Sequence, residues 1–140
     1  MGFSISAAFA ILGVCLVVCI DIFSSSVLPA ASELERSYKK LEDRIVERAN
    51  TDIEITNVTK SPGKPYNISI KVENTGSVSL KVKDFTVIVN GTIEDFDYNL
   101  PYLYPENTVI LNITNLTYTG LVRVKVVTGN GISDYETYSA

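Results

Sequence analysis

Phe3 to Leu28 form a run of 26 residues with one charged side chain, Asp21. Few environments accept such a run. As a helix rising 1.5 Å per residue it is roughly 39 Å long, enough for the roughly 30 Å hydrocarbon core of a bilayer. A chain of 140 residues has too little material to enclose an all-round apolar rod of that length in a soluble core. The marks of a cleaved secretory signal are missing: no Lys or Arg precedes Arg36, and Leu28-Pro29-Ala30 is a poor cleavage site, so Met1 is expected to be retained. Met1-Gly2-Phe3-Ser4-Ile5-Ser6 fits the loose N-myristoylation pattern, but a spanning helix that begins at once makes a lipid redundant. Membrane or filament core is the environment this run implies.

Within the run, Ser6, Ala10 and Gly13 step by four and three, which puts small side chains on one helix face and lets another helix approach closely. Cys15 and Cys19 are the only cysteines. Four apart on a helix, they are too distant for a disulfide and read as small packing hydrophobes. Asp21, seven residues before the end of the run, is placed to snorkel to an interface or to meet a partner's donor. Ser24-Ser25-Ser26 followed by Pro29 predicts a kink or break, because proline removes an amide donor and clashes with the carbonyl four residues back.

Three parts follow from the patterning: an apolar helix over residues 1–31, an amphipathic stalk over 32–50 and a β domain over 51–140. In the stalk, Ser32 with Glu35 three residues on predicts a cap, and Leu34, Tyr38, Leu41 and Ile45 recur at helical spacing. The stalk holds five basic and five acidic residues. From residue 51 the period becomes two. Ile53/Ile55, Ile68/Ile70/Val72, Val78/Leu80/Val82, Phe85/Val87/Val89, Val109/Leu111/Ile113 and Val122/Val124/Val126 alternate, with a seventh strand expected around Ile132 to Tyr138. Ser61-Pro62-Gly63, Asn74-Thr75-Gly76, Asn90-Gly91, Pro105-Glu106-Asn107 and Gly129-Asn130-Gly131 punctuate them as turns. Seven short antiparallel strands predict an immunoglobulin-like sandwich. Lys60, Pro62, Lys64 and Pro65 read as protection of a sheet edge.

Orientation signals conflict. Basic residues after the span and none before it place the β domain in the cytoplasm by the positive-inside rule. Five Asn-X-Ser/Thr sequons, at Asn57, Asn67, Asn90, Asn112 and Asn115, all lie in the β domain and point to a glycosylating exterior. The chemistry is sparse. With no histidine and no thiol outside the apolar run, neither enzyme activity, a bound cofactor nor a Cys/His metal site is expected. The net charge of −4 argues against nucleic acid as a partner. Asp95, Asp97, Asn99 and Glu106 match oxygen-ligand positions of a twelve-residue calcium loop, but Leu100 stands where that loop needs glycine, so no metal is expected. Between Lys83 and Arg123 there is no basic residue, and acidic side chains alternate with Phe96, Tyr98, Tyr102 and Tyr104. Asp95, Asp97, Tyr98, Tyr102 and Tyr104 are accordingly the candidate protein-interaction residues, suited to a basic partner.

The opening MGFSISAAFAIL, the charged stalk SELERSYKKLEDRIVERAN and the segments VENTGSVSLKVKDFTVIVNG and YPENTVILNIT together resemble the stator protein F family of the archaellum, the archaeal flagellum, also called FlaF or ArlF. The resemblance covers the full chain. It implies a sandwich exported beneath the surface layer, binding of the surface-layer protein, self-association as a homodimer through the sandwich, and partnership with stator protein G. Three rivals stand beside it: a pilin-like filament subunit, stator protein G itself, and a cytoplasm-facing membrane adaptor.

Overall fold

The computed structural model describes residues 2–140. Met1 lies outside the described residues, and its expected retention with it. The chain divides into one compact unit that ends at Asp43 and a second from Arg44 to Ala140.

The first unit is helical. Helix α1, Gly2–Ile22, passes into a π-helical segment, Phe23–Val27, which passes into α2, Leu28–Ala49. At Ser24-Ser25-Ser26, where a kink or break is expected ahead of Pro29, the π segment interrupts the regular α-helix but the chain stays helical. Leu28 donates its amide to the Phe23 carbonyl, the five-residue pairing of a π turn, and this wider turn takes up the proline without ending the helix. Ser32 consequently caps nothing. It lies inside α2, and its hydroxyl bonds back to the Pro29 carbonyl at 2.9 Å. No side chain of α1 or α2 is buried within the chain. Gly13 has open space around it, so the face of Ser6, Ala10 and Gly13 is unoccupied.

The second unit carries ten strands, all paired antiparallel: β1 Ile53–Lys60, β2 Tyr66–Asn74, β3 Leu80–Lys81, β4 Thr86–Val89, β5 Thr92–Glu94, β6 Asp97–Tyr98, β7 Tyr102–Leu103, β8 Thr108–Leu116, β9 Leu121–Val127 and β10 Ser133–Ser139. One sheet has the order β1-β2-β8-β6, the other β10-β9-β4-β5, and β3 pairs with β7. The alternating residues meet between the sheets. Ile68, Ile70, Val72, Val109, Leu111 and Ile113 from one side and Val87, Val89, Val122, Val124 and Val126 from the other are almost fully buried, in a two-layer apolar core. β1 is an outer strand, in keeping with Lys60 at its end and Pro62, Lys64 and Pro65 in the loop that follows it. A register shift between Ile55 and Asn57 marks a bulge there, and the carboxylate of Asp134 on β10 accepts the Ile55 amide at 2.8 Å.

Seven expected strands become ten because Thr92 to Leu103 folds as three strands of two or three residues, too short to show a period. Val78 and Val82 also depart from expectation. Only Leu80–Lys81 is extended, and Val82–Asp84 forms a 3₁₀ turn.

The turn residues hold the last turn of α2. Helices leave their final carbonyls without partners. Here Asn50 donates to the Val46 carbonyl at 3.0 Å, the Thr51 amide to Arg48, and the Thr51 hydroxyl to Glu47 at 2.8 Å. Ser77 donates to the Asn50 carbonyl at 2.9 Å, while Thr75 and Gly76 both donate to Asp52. From the β9–β10 hairpin, the Asn130 amide reaches the Thr51 hydroxyl, and Thr128, almost fully buried, donates to Asn130.

At the sheet margin the rings of Tyr66 and Tyr138 pack edge to face with centroids 6.3 Å apart, and their hydroxyls hydrogen-bond at 3.1 Å. Burial first, then the Tyr66 hydrogen bond, pushes the Tyr138 phenol above its ordinary range. Its stabilising contribution is therefore complete below pH of about 10, the unfolded value, and is lost as the pH rises beyond it. Tyr138→Phe is expected to cost about 1–2 kcal/mol, because it strands the fully buried Tyr66 hydroxyl. Denaturant melts across alkaline pH check this: the native protein should lose stability above pH of about 10 and the variant should lose less of it.

Candidate interaction surfaces

The acidic and aromatic stretch is built by a chain that changes sheet twice. β5 lies on the edge of the second sheet, β6 on the edge of the first, and β7 in the small pair with β3. Each step is pinned. Glu94 accepts a hydrogen bond from the Tyr118 hydroxyl at 2.9 Å, Asn99 accepts the Ile110 amide at 2.9 Å, and Leu103 is fully buried. Tyr102 and Tyr104 flank Leu103, and alternation in an extended chain sends both to the same, outer side. Their rings stack at 6.3 Å with 27° between planes, and they are 46% and 54% exposed.

Asp97 and Tyr98 sit on β6 opposite Asn112 and Leu111 of β8, both exposed, and Tyr98 leans on Phe96 at 6.2 Å. Asp95 is exposed between β5 and β6. The structure thus forms two aromatic pairs, Phe96 with Tyr98 and Tyr102 with Tyr104. Phe96 is partly buried against the core, so of the four aromatic rings it is the one that helps close the sandwich. Of the positions that match a calcium loop, Asp97 belongs to a strand and the Asn99 side-chain oxygen accepts the Ile110 amide. Among the described residues no group of three or more metal-ligating side chains comes together.

The sequons divide unevenly. Asn57 lies on β1, Asn67 on β2, and Asn112 and Asn115 on β8, all in the first sheet, whereas Asn90 lies in the β4–β5 turn at φ 50°. Asn57, Asn67, Asn90 and Asn115 are exposed. Asn112 is half-buried and its amide oxygen accepts the Ser69 hydroxyl at 2.7 Å. Asn67 accepts the Asn115 amide at 3.1 Å.

Sequence reading missed a second surface, the outer face of the β10-β9-β4-β5 sheet. Register aligns Ile93, Ile88, Lys125 and Tyr135 in one row across four strands. Arg123 lies over the Tyr135 ring at 5.1 Å, a cation–π contact. Ile93 on one edge strand is 70% exposed, and Tyr135 on the opposite edge strand and Leu121 on β9 are exposed on the same face. The outward positions of these strands carry two cations and no carboxylate. The signal lay in the residues between the core valines, Leu121, Arg123, Lys125 and Val127, whose alternation is the complement of the buried one.

Comparison with known proteins adds to this geometry. The family model for archaeal-type flagellin matches residues 2–136. A protein of Methanococcus voltae described as putative flagella-related protein F is 27% identical over 117 residues, covering 84% of this chain and 86% of the relative. Among solved structures, the archaellum periplasmic stator protein FlaG from Sulfolobus acidocaldarius superposes with a TM-score of 0.54 at 16% identity, covering 63% of this chain and 99% of that one. The periplasmic stator complex of FlaF and FlaG from the same organism gives a TM-score of 0.52 at 16% identity, covering 61% of this chain and 87% of the matched chain.

Proposed function

This chain belongs to the archaeal-type flagellin family, and from that premise we propose that it is a stator of the archaellum, a non-enzymatic anchor with a sandwich that grips the surface-layer protein. The observation that carries this reading is the extent of similarity to the flagella-related protein F. Its 117 residues exceed the 90 of the sandwich, so the likeness reaches into the helix as well. In this reading residues 1–31 are the membrane peg, 32–50 the stalk and 51–140 the external head. The sandwich faces the exterior beneath the surface layer, and the exposed sequons are its glycosylation sites.

The two surfaces divide the partners. The acidic ribbon of Asp95, Asp97, Tyr98, Tyr102 and Tyr104 takes the surface-layer protein. The apolar and cationic face around Ile93, Lys125 and Arg123 suits homodimerisation or a second stator subunit such as protein G. Small side chains at Ser6, Ala10 and Gly13 favour helix association in the membrane.

Mechanical shearing tests the anchor against the filament subunit. The chain should stay with the membrane fraction, and its departure with sheared filaments would make it a filament subunit instead. Protease treatment of intact cells stripped of the surface layer should digest the sandwich, whereas protection would put it in the cytoplasm. For the ribbon, Tyr102→Ala combined with Tyr104→Ala is expected to weaken surface-layer binding by about tenfold or more. The same pair should change melting little, because both side chains are half exposed. Unchanged binding would remove the ribbon from the proposal.

A further inference from the structure

Asp21 has a chemistry that its own chain does not complete. It stands in the last turn of α1 as the one charged side chain of the apolar run, about 10 Å along the axis from Leu28. Carboxylates at such depth are costly unless a partner meets them. The first lysine or arginine in the sequence is Arg36, 15 residues on and about 22 Å away along the helix. The nearby hydroxyl of Ser25 is already committed, donating to the main-chain carbonyl of Asp21 at 2.7 Å. Pro29 worsens the imbalance, since it has no amide to give to the turn before it. This stretch of helix therefore has an excess of acceptors and no cationic donor.

Resting on the membrane-anchor reading above, we propose that Asp21 is the docking point for a second membrane protein, whose helix brings a lysine or arginine to the carboxylate. Charge complementarity selects that occupant. A second copy of this chain does not qualify, because its span holds no basic residue. Val17 and Gly13 lie one and two turns below Asp21 on the same face, and at Gly13 nothing within 4 Å obstructs a close approach. The π turn at Phe23–Val27 carries the helix onward past Asp21, so the carboxylate sits on the flank of a continuous rod rather than at a helix end.

The test uses the full chain in its native membranes with a photo-reactive benzoylphenylalanine at Val17, or at Cys15 on the opposite face as control. The Val17 probe should cross-link to a membrane-spanning peptide that contains Lys or Arg, and the Cys15 probe should not. Asp21→Ala should lower the yield by about tenfold, while Asp21→Glu retains most of it. Exchanging the charges, Asp21→Lys against the partner's cation changed to aspartate, should restore it. Cross-links to lipid alone, to another copy of this chain or to a peptide without a cation would overturn the inference while leaving the anchor in place. So would a yield indifferent to Asp21→Ala. Recovery of the chain with sheared filaments instead of membranes would overturn the anchor reading and this inference with it.

Discussion

Gly76→Ala is expected to destabilise the sandwich by about 3 kcal/mol and to lower its melting temperature by about 10–20 °C. A Cβ at this position would stand 2.5 Å from the Asp52 amide nitrogen, 2.6 Å from the Asn50 carbonyl oxygen and 3.1 Å from the Thr51 carbonyl carbon. All three are backbone atoms, and no side-chain rotation relieves the clash. Moving the backbone breaks the bonds from Gly76 to Asp52 and from Ser77 to Asn50, through which the β2–β3 turn holds the end of α2. Thermal melts of the full chain in detergent, followed by the β-sheet circular dichroism signal, check the effect. Gly13→Ala is the control: that glycine is helical with open space around it, and the sandwich should melt as before. A Gly76→Ala protein that melts with the native one would mean that the turn and the helix end are not in close contact.

Asn74→Asp should be at least as damaging at neutral pH, by about 3–5 kcal/mol. The side chain is fully buried and uses its whole amide. Its nitrogen donates to the Val78 carbonyl at 2.8 Å and the Leu103 carbonyl at 3.2 Å, and its oxygen accepts the Gly76 amide at 3.1 Å. The substitution keeps the shape and replaces two donated protons with a carboxylate oxygen facing two carbonyls. Burial and those carbonyls raise the folded pKa of the new carboxyl above its unfolded value of about 3.9. The destabilisation is therefore present above pH of about 4 and relieved below it, where the protonated acid again donates one bond. Denaturant melts against pH should show the gap to the native protein closing in acid. Asn74→Ala supplies the comparison, a loss without that pH dependence.

Both residues were visible in the sequence only as turn formers. Asn-Thr-Gly after an alternating run announces a turn, and nothing local says that its asparagine ties β2 to β7 or that its glycine lies against a helix end. Asn130 is similar: a hairpin residue by composition, and a donor to Thr51 by position in space. The ribbon from Thr92 to Leu103 escaped for a different reason. The two-residue strands β6 and β7 are made by partners distant in the chain, Asp97 by Asn112 and Tyr102 by Lys81, and like the three-residue β5 have no length in which to show a period. The composition of that ribbon, acidic with exposed tyrosines, was legible. Its arrangement as two separate ring pairs was not.

What the sequence determined by itself is whatever repeats with a local period. Twenty-six residues with one charge must be a helix in a greasy setting, and inward residues at every second position must form strands around a two-layer core. Those patterns follow from helix and strand geometry and need no knowledge of neighbours. The tertiary structure decided where patterns meet. It carried the helix past Pro29 through a π turn, tied the Asn50 and Asp52 carbonyls just past the helix end to the β2–β3 turn and gathered Ile93, Ile88, Lys125 and Tyr135 into one outward row. Each of these depends on contacts between residues far apart in the chain or on how a helix relieves a missing donor, and neither has a signature in local composition.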